Sequence, residues 1–525
     1  MPYKASVSAK VADCALILKC LVFLALISIQ ASVSYATPQL PPSPPPGTGI
    51  QRTMRLLASS TPEHPNSVYI LFYGQSISKQ PWWLDVARDL RERFPSAKLR
   101  IENRAIGGFA TQLLVKTAEY DIYPADPDLV IINDYGDELD YENIIRGIRS
   151  RTKAEVALQS DHLITWGTLP GEAKDFRWTE WHNNVWLRDI ARKYGCGLID
   201  IRAAWKSYLT QNKLEPRDLL ADYIHLNARG MKLMGDLVEQ YLQYNPALPQ
   251  PYEPLSVVAV PSARPSFDFT FTGNRVDLVA TEASTTPVHF LIDGKRPSEF
   301  SELPVISRPN DVPGKDWPWQ LGGVIAVGHR VPLVPELWTI KINSVNKHSH
   351  VAQFELLGSV TGEDGQGSTD RNFVSASGRV TLQAQDWWTV GAHNEDLLKP
   401  GQLIRWRVLP MSADQWSPAG ANETITVANG LSNIRHNLRL YTDAPSLPIR
   451  AVIVQKPRYT LQKLTWPPYL WQKILWLRVI PLFESSRRFL LPCVALLICC
   501  LGVFTVLFKR KKTSQRRADE LPAAH

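Results

Sequence analysis

SVYILFYGQSIS, residues 67–78, is an apolar run of strand length that ends in glycine, glutamine and serine. Four later runs follow the same plan: KLRIENRAI (98–106), DLVIIN (128–133), EVALQ (155–159) and CGLIDI (196–201). Helical patterns such as WWLDVARDLRERF separate them. Such alternation predicts a three-layer α/β/α domain with a parallel sheet over residues 51–248. The polar residues that follow the strands are then expected to converge at the carboxyl edge of the sheet.

Ser76 follows the first of these strands at the mouth of a turn into a helix. A serine there is open to substrate, although a simple helix N-cap is the plainer alternative. Near the end of the domain, Asp222 and His225 place a carboxylate and an imidazole three residues apart. A serine nucleophile needs a general base, and the base needs an acceptor that fixes its tautomer. The sequence therefore predicts Ser76 as nucleophile, His225 as base and Asp222 as the orienting acid, with a surface-loop pair as the alternative for Asp222 and His225.

Residues 66–245 resemble the SGNH hydrolases, also called GDSL esterases and lipases, in three spaced blocks. FYGQSIS resembles the first block, which carries the nucleophile and so implies that role for Ser76. ENRAIGGFAT is similar to the second block, where the backbone N–H of Gly108 would bind the oxyanion. ADYIHLNARG resembles the last block and implies Asp222 and His225. The three-layer fold of that family agrees with the strand–helix alternation.

Two blocks depart from the family pattern. Gln75 stands where the family usually has aspartate, next to the nucleophile, and is a candidate pocket residue. The third block, Gly-x-Asn-Asp in the family, reads IINDYGDELD here, so Asn133 is the candidate side-chain donor to the oxyanion without its preceding glycine. Asp161 and His162 follow the next strand and are further candidates for the pocket, with a structural role as the alternative. No metal or other cofactor is expected, because the histidines lack a spaced set of ligand partners.

The second half of the chain has a different pattern. After PALPQPYEP (246–254), residues 262–456 show short strands with alternating polarity and turn residues between them. This pattern predicts an all-β sandwich. It is similar in general character to the galactose-binding-like sandwiches appended to carbohydrate-active enzymes. Four tryptophans are candidates for stacking on sugar rings, with a place in the core as the alternative: Trp317, Trp319, Trp387 and Trp388.

The two ends of the chain carry membrane signals. Residues 1–36 combine lysines, a short apolar run and a small-residue end, which predicts a signal peptide, with an uncleaved anchor as the alternative. Residues 37–50 are a Pro-rich linker. The uncharged stretch 489–508 has the length of a transmembrane helix, and the basic tail 509–525 is expected in the cytoplasm. Residues 463–484 form an amphipathic juxtamembrane segment or, alternatively, an ordinary packing helix.

These features predict a single-pass membrane protein with a periplasmic or extracellular catalytic domain. The formal net charge of +8 is concentrated in the basic tail, so no nucleic-acid partner is expected. The predicted activity is that of a serine esterase or acyltransferase acting on O-acetyl groups of a polysaccharide or another envelope substrate. The competing hypothesis is an SGNH-like glycan-binding protein of the cell envelope with little or no turnover, and a structural partner in an envelope assembly is a third.

Overall fold

The computed structural model describes residues 43–165, 173–249, 251–261, 263–301, 303–391, 393–459 and 473. The predicted signal peptide (1–36), transmembrane helix (489–508) and basic tail (509–525) lie outside these residues, as does the juxtamembrane segment (463–484) apart from Lys473. Across the described ranges, no helix is both long and apolar enough to cross a membrane.

The first half of the described chain is a parallel α/β domain, as predicted. Its five-stranded sheet has the order β2-β1-β3-β4-β5, and all its pairings are parallel. The strands are β1 Ser67–Gly74, β2 Lys98–Asn103, β3 Leu129–Asn133, β4 Glu155–Gln159 and β5 Gly197–Ile199. The helices are α1 Gln51–Ala58, α2 Ser76–Lys79, α3 Trp82–Arg93, α4 Thr111–Asp121, α5 Glu138–Arg151, α6 Ala173–Trp181, α7 Leu187–Tyr194, α8 Ile201–Asn212 and α9 Ala228–Glu239. A π-helical stretch, His182–Trp186, joins α6 to α7, and the 3₁₀ turn Pro216–Leu219 follows α8.

Helices cover both faces of this sheet. Along β1, alternate residues enter two separate buried clusters: Tyr69, Leu71 and Tyr73 pack with α4, α5 and α7, whereas Val68, Ile70 and Phe72 pack with α1, α3, α8 and α9. A strand that is buried on both faces is typical of a parallel sheet. The end of the predicted 37–50 linker belongs to this folded body, since Ile50 is only 2% exposed.

The second half of the described chain is an all-β region, also as predicted. A six-stranded sheet has the order β18-β8-β19-β7-β20-β6, and a five-stranded sheet the order β13-β12-β11-β17-β9. The strands of the first are β6 Leu255–Ala259, β7 Ser266–Ala280, β8 Val288–Ile292, β18 Gln415–Trp416, β19 Thr424–Thr442 and β20 Ile449–Gln455. Those of the second are β9 Pro304–Ile306, β11 Glu336–Asn346, β12 Val351–Gly358, β13 Gly362–Ser368 and β17 Leu403–Pro410.

Two pairs of short strands complete the β region: β10 Gly323–Val324 with β16 Trp387–Trp388, and β14 Phe373–Val374 with β15 Thr381–Leu382. The two large sheets have separate buried clusters, one built from β7, β8, β19 and β20 and the other from β11, β12 and β17. The segment from β9 to β17 is therefore a second core inserted between β8 and β18. The single sandwich expected over 262–456 is resolved into two cores.

The α/β domain and the β region share buried contacts. Trp317 and Ile325 of the β region belong to the same apolar cluster as the α4 face of the sheet. Nearby, Arg308 Nη2 lies 2.6 Å from each carboxylate oxygen of Asp121, at the end of α4. This ion pair is largely buried, with side chains 12% and 1% exposed. The β region is thus joined to the helix that follows the second family-like block.

Candidate active site

Ser76 stands where β1 turns into α2. Gly74 ends the strand with φ +152°, and a Cβ there would lie 2.0 Å from the carbonyl oxygen of Asn133. Glycine at this position therefore lets the ends of β1 and β3 approach each other, because any other residue would clash with the β3 backbone. Ser76 is half-buried, between the buried Gln75 and Ile77. The serine side chain can therefore be reached by a substrate at the carboxyl edge of the sheet.

His225 and Asp222 reach this serine from the loop before α9. His225 Nε2 lies 3.0 Å from Ser76 Oγ, and His225 Nδ1 lies 2.8 Å from Asp222 Oδ2. Ser76 and His225 are 149 residues apart in the chain. The structure thus brings together the three side chains that the sequence singled out, at distances suited to proton transfer.

Asp222 is held as an acceptor by its own loop. Its Oδ1 accepts hydrogen bonds from the backbone N–H groups of Ile224 and His225, both at 2.7 Å. Burial of the carboxyl opposes ionisation, but these bonds and the one from the His225 ring lower the pKa of Asp222 to about 2. An ionised carboxylate at Nδ1 favours the tautomer with its proton on Nδ1. Nε2 is then free to accept the Ser76 proton.

The loop that carries His225 rests on residues that follow β4. His162 Nε2 lies 2.8 Å from the carbonyl oxygen of Ile224, and the N–H of Thr165 donates to Tyr223 at 3.1 Å. His162 is 1% exposed, and burial lowers its pKa to about 4, so the ring is neutral at physiological pH. His162 was a candidate for the pocket, and the structure places its buried ring under the loop that carries Asp222 and His225.

The second family-like block lies beside the serine. A Cβ added at Gly107 would lie 3.8 Å from Ser76 Cβ, and Gly108 has φ +78°. Trp319 of the β region contacts this loop, since its indole N–H donates to the carbonyl oxygen of Gly107 at 2.7 Å. Nothing in the sequence linked Trp319 to this loop, and only the fold brings together residues 212 positions apart.

The four candidate tryptophans divide into two pairs. Trp317 and Trp387 are buried, 4% and 9% exposed, and belong to apolar clusters. Trp319 and Trp388 are half-buried, and their rings meet edge to face with centroids 4.6 Å apart. Trp319 is therefore the member of the set whose ring stands directly against the Gly107–Gly108 loop.

Gln75 accepts a hydrogen bond from the backbone N–H of the next residue, Ser76. Its Oε1 accepts the backbone N–H of Ser76 at 3.0 Å and also lies 2.9 Å from Ser76 Oγ. Gln75 is 5% exposed, so this amide is fixed in the wall of the site. An acyl oxygen that binds the Ser76 N–H must take the place of the Gln75 oxygen.

Asn133 was the candidate side-chain donor to the oxyanion. Its Nδ2 donates to Asp161 Oδ1 at 2.9 Å and to the Gln159 carbonyl oxygen at 3.2 Å. Asn183 holds the same carboxylate, because its Nδ2 lies 3.3 Å from Asp161 Oδ2. Both amide hydrogens of Asn133 are therefore engaged in a buried network between β3 and β4. Asp161 serves in that network as the shared acceptor.

Among the residues the structure describes, no group of three or more His, Cys, Asp or Glu side chains is arranged to hold a metal ion. The groups in hydrogen-bond contact at the site are a serine hydroxyl, an imidazole and a carboxylate. These groups suit acyl transfer through a covalent serine intermediate.

Solved structures similar to this chain include several esterases. One is a two-domain esterase active on acetylated mannans, co-crystallized with mannopentaose, at 14% identity over 79% of this chain and 97% of that one, with a TM-score of 0.30. Another is the acetyl xylan esterase AlAXEase, at 20% identity over 32% and 97%, with a TM-score of 0.28. A third is an acetylxylan esterase from Geobacillus stearothermophilus, at 18% identity over 34% and 96%, with a TM-score of 0.29.

The family comparison is more direct. No match is found among curated proteins. Residues 71–233 match the model of the GDSL-like Lipase/Acylhydrolase family, a span that contains Ser76, Gly108, Asp222 and His225. Residues 71–233 of this longer chain therefore resemble the GDSL-like lipases and acylhydrolases.

Proposed function

We propose that this protein is a serine esterase or acyl-transfer enzyme that acts on O-acetyl groups of an acylated carbohydrate. The observation that carries the proposal is the Ser76–His225–Asp222 chain, with its separations of 3.0 Å and 2.8 Å. Two hydrogen bonds in series from hydroxyl to carboxylate are what a serine nucleophile needs for activation at neutral pH.

In the proposed reaction, Ser76 Oγ attacks the acyl carbon while His225 Nε2 takes the hydroxyl proton. Asp222 stabilises the imidazolium that forms. His225 then returns the proton to the departing alcohol oxygen, and the acyl group remains on Ser76. Water, or an acceptor hydroxyl in the transferase case, is then deprotonated by the same imidazole and attacks the acyl carbon. The bond from the acyl carbon to Ser76 Oγ breaks, and His225 returns the proton to Ser76 Oγ.

The negative charge on the tetrahedral intermediate is assigned to two backbone donors, the N–H groups of Ser76 and Gly108. Each such donor contributes roughly 2.7–4 kcal/mol of transition-state stabilisation in serine hydrolases. The Gln75 oxygen accepts the Ser76 N–H in the structure, and the acyl oxygen would take its place. Asn133 is left out of the set, because Asp161 and Gln159 already take its amide hydrogens.

We prefer a carbohydrate ester as substrate because the aromatic ring of Trp319 lies beside the Gly107–Gly108 loop, called the oxyanion loop from here on. The half-buried ring of Trp319 lies against Gly108, where it is placed to contact the alcohol or acyl part of a bound ester. Indole rings offer a large rigid surface with a polar edge, which suits the apolar face of a sugar ring. The expected galactose-binding-like character of the β region points to the same class of substrate.

The test is ester hydrolysis by the full-length protein in detergent. Rates with p-nitrophenyl acetate and an acetylated polysaccharide are compared for wild type, Ser76→Ala and Ser207→Ala. Ser207 is an exposed serine on α8 that interacts with Gln211 and serves as the matched control. We expect Ser76→Ala to lose nearly all activity and Ser207→Ala to keep it. Equal rates for wild type and Ser76→Ala would exclude the proposed nucleophile.

A glycan-binding protein with little turnover is the second candidate. Two observations favour it: Gln75 occupies the Ser76 N–H, and the amide of Asn133 is engaged elsewhere. Calorimetric titration with acetylated and deacetylated polysaccharide distinguishes the two. Binding that is unchanged in Ser76→Ala, together with no release of acetate by wild type, supports this candidate against the enzyme.

We also propose a single-pass membrane location with the catalytic domain outside the cytoplasm. The support is the apolar stretch 489–508, the basic residues 509–525 and the signal-like residues 1–36. Membranes washed with alkaline carbonate should retain the full chain. Protease added to intact cells or spheroplasts should cleave the catalytic domain while a C-terminal tag survives. Release by carbonate, or a protected catalytic domain, would contradict this location.

A further inference from the structure

The Gly107–Gly108 peptide links the β region to the proposed oxyanion site. The carbonyl oxygen of Gly107 and the N–H of Gly108 belong to one planar peptide unit and point in opposite directions. Any contact that fixes the direction of this carbonyl therefore also fixes the direction of the N–H. Since neither flanking residue has a side chain, rotation of this unit meets little local resistance.

Trp319 supplies such a contact. Its Nε1 lies 2.7 Å from the Gly107 carbonyl oxygen. The ring also stands against Gly108, where an added Cβ would lie 2.7 Å from Trp319 Cζ2. A rotated peptide would leave the indole N–H without this acceptor and turn the Gly108 N–H away from its present direction. A carbonyl that accepts a hydrogen bond also polarises its own peptide, which makes the N–H a stronger donor.

The segment around Trp319 is itself held in place. Asp316 forms an ion pair with Lys79, in the helix that begins at Ser76. Trp317 is buried, and its indole N–H donates to the Pro309 carbonyl oxygen at 2.7 Å. Residues 316–319 of the β region therefore contact both the helix of the proposed nucleophile and the loop of the proposed oxyanion donor.

We propose that Trp319 is a positioning residue for acyl transfer: through Gly107 it keeps the Gly108 N–H directed at the acyl oxygen. This inference rests on the proposed function, because it needs an oxyanion for Gly108 to bind. The β region then takes part in catalysis by ordering the donor. Its role extends beyond binding substrate.

Trp319→Phe in the full-length protein tests the inference, because it keeps a ring and removes the N–H. Loss of a whole oxyanion donor lowers kcat by about 10²–10³-fold. Trp319→Phe keeps the Gly108 N–H but no longer fixes its direction, so we expect kcat to fall by about 10–100-fold. KM for p-nitrophenyl acetate should stay within about threefold. Trp319→Tyr, which also lacks a donor at that point of the ring, should behave in the same way.

Trp406→Phe is the matched control, since its indole N–H in the core of the five-stranded sheet has no partner among the described residues. It should keep wild-type kcat. A second readout is inhibition by methylboronic acid, whose tetrahedral serine adduct places an oxygen at the oxyanion site. Its affinity should fall in Trp319→Phe in proportion to kcat/KM, whereas urea unfolding should match that of the control.

Three results would overturn the inference, and they are separable. Wild-type kcat in Trp319→Phe, with Ser76→Ala inactive, rejects the positioning role and leaves the proposed function intact. A rise in KM with unchanged kcat makes Trp319 a wall for substrate only. Full activity in Ser76→Ala removes the proposed function, and the role of Trp319 with it.

Discussion

Replacing Asp222 with asparagine tests the proton path at a single oxygen. Asp222 Oδ1 accepts two backbone N–H groups at 2.7 Å, and Oδ2 faces His225 Nδ1. In Asp222→Asn, the amide oxygen keeps the two backbone bonds, so the NH₂ group faces Nδ1. Two donors cannot share that contact, and the imidazole proton moves to Nε2. His225 then points a proton at Ser76 Oγ and cannot accept one.

The size of the effect follows from this change of tautomer. The equivalent change in serine proteases costs about 10⁴ in kcat. The His225 and Asp222 side chains are 41% and 46% exposed, so water can partly replace the lost contact. We therefore expect kcat/KM for p-nitrophenyl acetate to fall about 10³–10⁴-fold, which corresponds to about 4–5.5 kcal/mol of transition-state stabilisation.

The assay is kcat/KM from pH 5 to 9, with urea unfolding as a check on folding. Asp236→Asn is the matched control, since Asp236 is a surface residue of α9 paired with Lys232. The control should keep wild-type activity. Activity of Asp222→Asn within fivefold of wild type near pH 7 would refute the tautomer argument, whatever the residual pH dependence.

Three further changes address the oxyanion loop, the junction between the two regions and pH. Gly108→Ala places a Cβ 2.7 Å from the Trp319 ring and should lower kcat at least tenfold in the ester assay. Gly401→Ala is the control, because Gly401 has a similar φ of +83° and no atom lies within 4 Å of an added Cβ, so kcat should stay unchanged. Equal effects of the two substitutions on kcat would point to backbone strain alone. Asp121→Ala leaves the buried guanidinium of Arg308 unpaired and should lower the free energy of unfolding in urea by about 3–5 kcal/mol, and a loss under 1 kcal/mol would contradict this. Burial lowers the pKa of His162 from 6.5 to about 4, so between these pH values the unfolded chain binds more protons than the folded one. The free energy of unfolding therefore has its full contribution from this residue above pH 6.5 and declines toward pH 4. His162→Gln should reduce that slope by up to about 1.4 kcal/mol per pH unit, and an unchanged slope would argue against a buried neutral ring.

The presence of five strands in a parallel sheet was predictable because their signals are local, although β2 ends at Asn103 and β5 at Ile199, before the ends of the predicted runs. An apolar run such as SVYILFYG predicts a buried strand, and its final glycine marks where the chain turns. Parallel strands meet at one edge, which placed Ser76 there. The pairing of Ser76 with the Asp222–His225 loop came from the chemistry of that pair and from the resemblance to the SGNH blocks, because the loop lies between helices.

The contacts of Asn133 and Trp319 were not predictable. Asn133 and Asp161 follow neighbouring strands, and whether the amide faces the serine or the carboxylate depends on side-chain rotation. The sequence around Trp319 does not indicate that the side chain contacts the oxyanion loop. An aromatic residue after a turn has the same sequence pattern whether it lies in a core or on a binding surface. The division of the β region into two cores likewise depends on which strands pair across the insertion, and period-2 alternation is the same in either arrangement.

The presence of Trp317 and Ile325 in the core of the α/β domain bears on the order of events during synthesis. The last helix of that domain ends at Glu239, yet one face of its sheet is completed by residues made much later. On the ribosome, the domain can form its sheet and the α3–α9 side early. The apolar patch beside α4 where Trp317 and Ile325 pack stays uncovered until the chain has grown past Ile325. The nascent domain then exposes an apolar surface during that interval, which makes it a natural substrate for chaperones and sensitive to premature termination.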